Sequence, residues 1–227
     1  MMKANRPPPQ RTGVARVVIA DDHELSRAGL RSMLSGDRNL QLVGEAANGH
    51  DAVVLCRQLQ PELAVLDVRM PEMDGLAATR AIKQQCPKTS VLIVTTHEHY
   101  DYLLAALKAG AAGYMLKDVT RQDLLTAVRR VLRGESILNG ELATRALQRL
   151  ANETSPYDGP PPERLTPRER EVLNLIAEGK TNREIAAQLS LSVGTVKIHV
   201  EHIIGKMGVS DRTQAAVRAV ECGLLRM

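Results

Sequence analysis

The stretch Leu63-Ala64-Val65-Leu66-Asp67-Val68-Arg69-Met70-Pro71-Glu72-Met73-Asp74-Gly75 decides how the chain reads. Five of its first six residues are apolar, and Pro61 and Pro71 bound the run. An unbroken apolar run of that length suits a strand covered on both faces, as in a parallel sheet. Asp67 falls near its carboxyl end, where open α/β sheets bring their ligands. A carboxylate there either caps the following loop or is the reactive group of the molecule.

Outward from this run the chain alternates short apolar segments with helical patterns. Strands are predicted at 15–20, 41–47, 63–68, 90–96 and 113–117, and helices near 24–35, 50–59, 73–84, 99–109 and 121–133. Such alternation with short connections implies an α/β fold, a five-stranded parallel doubly wound sheet flanked by helices, over residues 15–134. Residues 1–14, with Pro7-Pro8-Pro9 and no apolar period, read as a disordered leader.

Residues 135–162 read as a linker, with a short helix fitting Leu142 to Leu150 and a stiff extended run at Pro160-Pro161-Pro162. It suits a closed or an open arrangement of what it joins. Residues 163–227 are punctuated by helix starts. Thr166-Pro167-Arg168-Glu169 has a capping residue, proline at the first helical position and glutamate three after the cap, and Thr181-Asn182-Arg183-Glu184 repeats the box. Ser192 is placed to cap a helix from Val193 to about Met207, and Ser210 one from Asp211 to Cys222, closed by Gly223. Four short helices make a compact all-α domain.

Composition narrows the function classes. The 227 residues are 44% hydrophobic and 25% charged, as in ordinary globular proteins. With four Tyr and no Phe or Trp, base-stacking platforms for single-stranded nucleic acid are disfavoured. Cys56, Cys86 and Cys222 are widely spaced and odd in number, which suggests idle thiols in a reducing cytosol rather than disulfides or a zinc site. No apolar run reaches membrane-spanning length and no hydrophobic signal core begins the chain, so a cytoplasmic protein with no membrane partner is expected. The net charge of +4 says little, because residues 135–227 carry 12 basic and 12 acidic side chains.

Asp21-Asp22 follows the first strand as Asp67 ends the third, and in a doubly wound sheet those strands are neighbours. Three carboxylates brought together repel one another and need a cation. Oxygen-only ligands with room for water suit Mg²⁺. Thr95 and Lys117 end the fourth and fifth strands and add a hydroxyl and an ammonium at the same edge. Such a set suits phosphoryl transfer to a carboxylate: Mg²⁺ and Lys117 neutralise the moving oxygens, Asp67 is the nucleophile, and Thr95 bonds the new phosphoryl group.

Asp21-Asp22, Asp67 with Met70-Pro71 and Gly75, Thr95 and Lys117 resemble, in order and spacing, the receiver domain of two-component response regulators. The resemblance implies that Asp67 accepts a phosphoryl group from a sensor histidine kinase. It implies that Asp21, Asp22, Asp67 and the backbone carbonyl of Arg69 hold Mg²⁺, that Thr95 and Tyr114 form a switch pair, and that Lys117 contacts the phosphoryl group. Asp118 follows Lys117 where many receivers have proline, and Lys-Asp is familiar in a branch with a helical output domain.

In the C-terminal part, the helix from Val193 turns Val196, Val200, Ile203 and Met207 inward and leaves Gly194, Lys197, Ile198 and Glu201 on the opposite face. Locally, residues 180–218 carry six basic against three acidic side chains, a +3 excess that suits phosphate attraction. Leu165-Thr166-Pro167-Arg168-Glu169, Ile185-Ala186, Thr195-Val196-Lys197-Ile198-His199 and Lys206-Met207 resemble the LuxR-type helix-turn-helix. The whole is similar to the NarL/FixJ group of response regulators. That resemblance implies that Lys197, Ile198 and Glu201 face base edges of double-stranded DNA and that Lys180, Thr195, His202 and Lys206 contact phosphates.

The expected function is a transcription regulator that turns over no small molecule. Phosphorylation would shift it toward homodimers and tighter DNA binding. The row Ala215, Ala216, Ala219 and Val220 suits either a dimer face or the domain core. Two rivals remain at this level. A Mg²⁺-dependent phosphohydrolase would turn over phosphate monoesters, and a constitutive DNA binder or adaptor would ignore acetyl phosphate.

Overall fold

The computed structural model describes residues 13–96, 100–135 and 164–225. Residues 1–12 of the expected leader and the helix at 142–150 therefore lie outside the described residues. Five strands, β1 (Ala15–Ala20), β2 (Leu40–Ala46), β3 (Leu63–Leu66), β4 (Ser90–Thr95) and β5 (Gly113–Leu116), form one parallel sheet in the order β2-β1-β3-β4-β5. Every predicted strand is present. β3 stops at Leu66, so Asp67 and Val68 already belong to the loop.

Successive side chains of a strand face opposite sides, and each side has its own core. Val18, Ala20, Ala64, Leu66, Val91 and Ile93 pack beneath α2 (Gly49–Leu59), α3 (Gly75–Gln85) and α4 (Tyr100–Ala109). Val17, Ile19, Leu63, Val65, Leu92 and Val94 pack against α1 (Glu24–Ser35) and α5 (Arg121–Leu132). Both cores are aliphatic, with each fully buried Leu or Ile contributing roughly 1.5–3 kcal/mol. Cys56 and Cys86 are buried free thiols, and Cys222 is a half-buried one. Asp37, buried beside α5, accepts from Arg129 Nη2 at 2.6 Å and Nε at 3.1 Å, tying the end of α1 to the last turn of α5.

The C-terminal domain comprises α6 (Pro167–Ala177), α7 (Asn182–Gln188), α8 (Val193–Met207) and α9 (Arg212–Glu221). Both capping boxes form: the side chains of Thr166 and Thr181 accept from the backbones of Glu169 and Glu184, and those glutamates reach back. Ser192 caps α8. One cap differs from expectation. Asp211, not Ser210, caps α9, its carboxylate accepting from Gln214 N at 3.0 Å while Ser210 Oγ donates to Asp211 Oδ2 at 3.1 Å. The Asp211 side chain is the one that reaches the N3 backbone N–H, which moves the helix start on by one residue. Ala215, Ala216, Ala219 and Val220 are buried in this domain's core.

The two domains are in contact. Leu103, Leu104 and Leu107 of α4 join the apolar cluster of the C-terminal domain. At its border Gln214 Nε2 donates to Leu107 O at 2.9 Å, and Thr213 Oγ1 to Ala112 O at 3.3 Å. Among the described residues no helix is long and apolar enough to cross a membrane.

Candidate functional site

The carboxyl edge of the sheet gathers the side chains that the strand ends were expected to present. Asp67 N donates to Ala20 O at 2.9 Å, carrying the β1–β3 ladder one residue past the strand and setting Asp67 beside Asp21. Lys117 N donates to Thr95 O at 2.8 Å in the same way, between β4 and β5. The geometry then closes on one ammonium. Lys117 Nζ lies 2.6 Å from Asp21 Oδ2 and 3.3 Å from Asp67 Oδ2.

Asp21 is fully buried and Asp67 is 6% exposed, so both depend on local partners rather than on water. Asp67 Oδ1 is buried with no hydrogen-bond partner, which leaves a carboxylate oxygen with free lone pairs at the centre of the site. Asp22 is outermost. Its Oδ1 lies 2.8 Å from His23 Nδ1, and His23 N donates to Asp21 Oδ1 at 3.0 Å. Donor atoms of Asp21, Asp22 and His23 lie within 4.8 Å of one another. His23 was not expected here, although its place directly after the acid pair was the available signal.

These donors fit a hard cation. They are dominated by carboxylate oxygens, and the orphaned Asp67 Oδ1 is a buried acceptor that protein groups leave unfilled. The carbonyl of Arg69 lies on the adjoining loop; its guanidinium reaches the other way, Nη2 donating to Tyr102 OH of α4 at 3.2 Å. Thr95 is fully buried at the end of β4. Tyr114 on β5 is half-buried, and its phenol is pushed up to about 12, first by burial and then by the charges of Asp67 and Tyr102.

The loop after Asp67 is held by α3. Asp74 caps that helix, accepting from Ala77 N at 2.7 Å, and Gly75 N donates to Val68 O at 2.8 Å. A β-carbon on Gly75 would run into the carbonyl of Asp67 itself, so only glycine lets α3 approach the loop this closely.

On the C-terminal domain, Val196, Val200, Ile203 and Met207 of α8 are buried while Lys197, Ile198 and Glu201 are exposed, Ile198 to 41%. Thr195 is half-buried, its backbone N donating to Ser192 Oγ at 3.0 Å and its hydroxyl 2.8 Å from the same oxygen. Lys180 sits at the α6–α7 turn, where its carbonyl accepts from the buried Arg212 at 2.7 Å. Burial lowers the pKa of that guanidinium to about 10.

His202 is exposed, with Nδ1 3.9 Å from Glu169 Oε1. Lys206 has a partner within its own domain. Its ammonium donates to Glu169 at 2.7 and 2.9 Å, and Glu169 is only 3% exposed. Burial opposes ionisation of Glu169, but hydrogen bonds from Lys206 and Thr166 outweigh it and lower the pKa. The ammonium of Lys206 is thus committed to the capping glutamate of α6, a partner 37 residues away that no local spacing reveals.

Comparisons with known proteins point the same way in both halves. The family model for the response regulator receiver domain matches residues 17–129, and that for bacterial regulatory proteins of the luxR family matches residues 163–219. The uncharacterized transcriptional regulatory protein YhcZ of Bacillus subtilis is 40% identical over 209 residues, covering 92% of this chain and 97% of its own. The response regulator protein VraR of Staphylococcus aureus is 38% identical over 211 residues, covering 93% and 99%. Among solved structures, the RcsB response regulator of Salmonella typhimurium is 27% identical, covers 90% of this chain and 97% of its own, and has a TM-score of 0.54. RcsB also appears as two dimers bound to two parallel DNAs, at 27% identity, 91% and 98% coverage and a TM-score of 0.53.

Proposed function

Because the chain belongs to the response regulators that join a receiver domain to a LuxR-type DNA-binding domain, and so is a phosphorylation-controlled transcription regulator, we propose that Asp67 is its phosphoacceptor. The observation that carries this reading is the asymmetry of the Asp67 carboxylate: Oδ2 faces Lys117 at 3.3 Å while Oδ1 has no partner. Oδ1 attacks phosphorus of a phosphohistidine on a sensor kinase. The new O–P bond forms as the P–N bond breaks, and the departing electron pair stays on the imidazole nitrogen, which takes up a proton. Lys117, between Asp21 and Asp67, neutralises the charge of the incoming oxygens.

Receiver domains use Mg²⁺ in an acidic pocket of this kind; here Asp21, Asp22, Asp67 and the Arg69 carbonyl would hold it, and when bound it would screen the phosphoryl oxygens from the carboxylates. Thr95 and Tyr114 respond to the new dianion, and the aspartyl phosphate favours a homodimer on double-stranded DNA. Lys197, Ile198 and Glu201 meet base edges, with Lys180, Thr195 and His202 on phosphates. Lys206 is left out of that set because Glu169 holds it. The protein works in the cytoplasm, accepting the kinase's phosphoryl group on its own aspartate without turning over a small molecule.

Intact-mass measurement with acetyl phosphate and Mg²⁺ tests this. The full chain should gain one phosphoryl group and Asp67→Asn none; labelling retained in the variant would remove Asp67 from the role.

A further inference from the structure

The outward edge of α8 runs Gly194, Ile198, Glu201, Gly205, the same i, i+4, i+7, i+11 spacing as the buried row Val196, Val200, Ile203, Met207 on the opposite side. Neither glycine is needed by the fold. A β-carbon on Gly205 would meet nothing within 4 Å, and one on Gly194 only Ser192 Oγ at 3.6 Å, an ordinary contact. Both have negative φ, since among the described residues the glycines with positive φ are at 110, 134, 179, 208 and 223. Glycine in a helix is destabilising relative to alanine, so this edge is weaker than it has to be.

A second observation lies between them. Ile198 is 41% exposed, one of five large aliphatics left so among the described residues, and its neighbour on the edge is the exposed carboxylate of Glu201. A helix that forgoes side chains at both ends of its outer edge, and keeps an aliphatic group in water between them, is shaped for a surface outside the domain. The major groove is about 12 Å wide and a helix with side chains about 10–12 Å across, so one added β-carbon changes the depth of seating.

We propose that Gly194 and Gly205 are specificity-determining residues that set how deeply α8 seats in the groove, bringing the Ile198 side chain onto a thymine methyl group. This rests on the reading of α8 as the base-reading helix. The bare ends let the groove walls close on the helix backbone, and only at that depth does a short aliphatic side chain reach a base edge.

The test uses the full chain, with duplex sites selected from its source genomic DNA and a random duplex as reference. Gly194→Ala and Gly205→Ala should each raise the melting temperature of the full chain by a few degrees, since each fills open space on a helix. Each should weaken binding to the selected site by about tenfold or more, and to the random duplex by about twofold or less. Deoxyuridine in place of the contacted thymine should cost wild type several-fold and cost Ile198→Ala nothing further. If the alanine variants bind the selected site as wild type does while Lys197→Ala binds it poorly, the role of the glycines is overturned and the reading of α8 stands. If none of them weakens binding, the base-reading helix itself is wrong. A fall in melting temperature would show that the fold needs the glycines, and would overturn the proposal.

Discussion

Replacing Lys206 with methionine separates two roles that the side chain could have. Methionine keeps the unbranched stem and removes the charge, leaving Glu169, 3% exposed, without the two contacts at 2.7 and 2.9 Å. Breaking a fully buried ion pair from one side costs about 3–5 kcal/mol. Two features reduce that figure here. The Lys206 side chain is itself 27% exposed, and Glu169 Oε2 keeps the bond from Thr166 N at 2.7 Å. Hydrogen bonds to charged groups contribute about 1.5–3 kcal/mol, so a loss of about 2 kcal/mol is expected, roughly 30-fold in the unfolding equilibrium.

Hydrogen exchange of peptides from α6 and α8 reads this at the two helices that the ion pair joins. The double variant with Glu169→Gln should recover part of the loss. The pH dependence has a definite sign. The pKa of Glu169 is lowered in the fold, so its stabilisation is present above the unfolded carboxylate pKa and is lost as pH falls through the lower folded value. In the Lys206→Met chain that acid-side loss should begin at higher pH. DNA binding supplies the refutation. Because the ammonium is already paired, the slope of log K against log salt should not change, whereas a slope reduced by about 0.9 would mean that Lys206 meets a phosphate.

Gly75→Ala should destabilise the receiver by about 1–3 kcal/mol and slow phosphorylation by acetyl phosphate, because the new β-carbon meets the Asp67 carbonyl; unchanged denaturation and rate would show that α3 yields freely. Asp37 has its pKa lowered, first by the Arg129 hydrogen bond and then by Asn39, so its contribution is full above the unfolded pKa and disappears as pH falls through the folded one. Asp37→Asn should therefore cost about 1 kcal/mol near neutrality and nothing at low pH, and a pH-independent difference in urea denaturation would count against it. Thr213→Val with Gln214→Ala should leave the radius of gyration in small-angle scattering unchanged, because Leu103, Leu104 and Leu107 stay buried between the domains; a rise would mean that the two border hydrogen bonds, not the apolar cluster, hold them together.

Much of the fold was legible because each element carries its own local signal. The β3 run between prolines, the capping boxes at Thr166 and Thr181, and the 3.6-residue period of α8 concern residues close in sequence. The acid edge was legible for a related reason: in a parallel sheet every strand delivers its carboxyl end to the same side, so Asp21, Asp67, Thr95 and Lys117 needed no knowledge of tertiary packing. What was missed depends on partners far apart in the chain. Lys206 with Glu169, Arg212 with the Lys180 carbonyl, and Arg69 with Tyr102 are settled by packing between elements. The start of α9 was misplaced by one residue because Ser210 and Asp211 are both good caps and their side chains bond each other.

The leucines of α4 have a calorimetric consequence. Leu103, Leu104 and Leu107 belong to a receiver helix yet are counted in the hydrophobic interior of the other half, so neither half can lose its structure without exposing oil to water in its neighbour. Heat absorption on melting should then fall in a single peak rather than in two. Any ion that binds the acid edge of the folded receiver should also delay the melting of helices that never touch it.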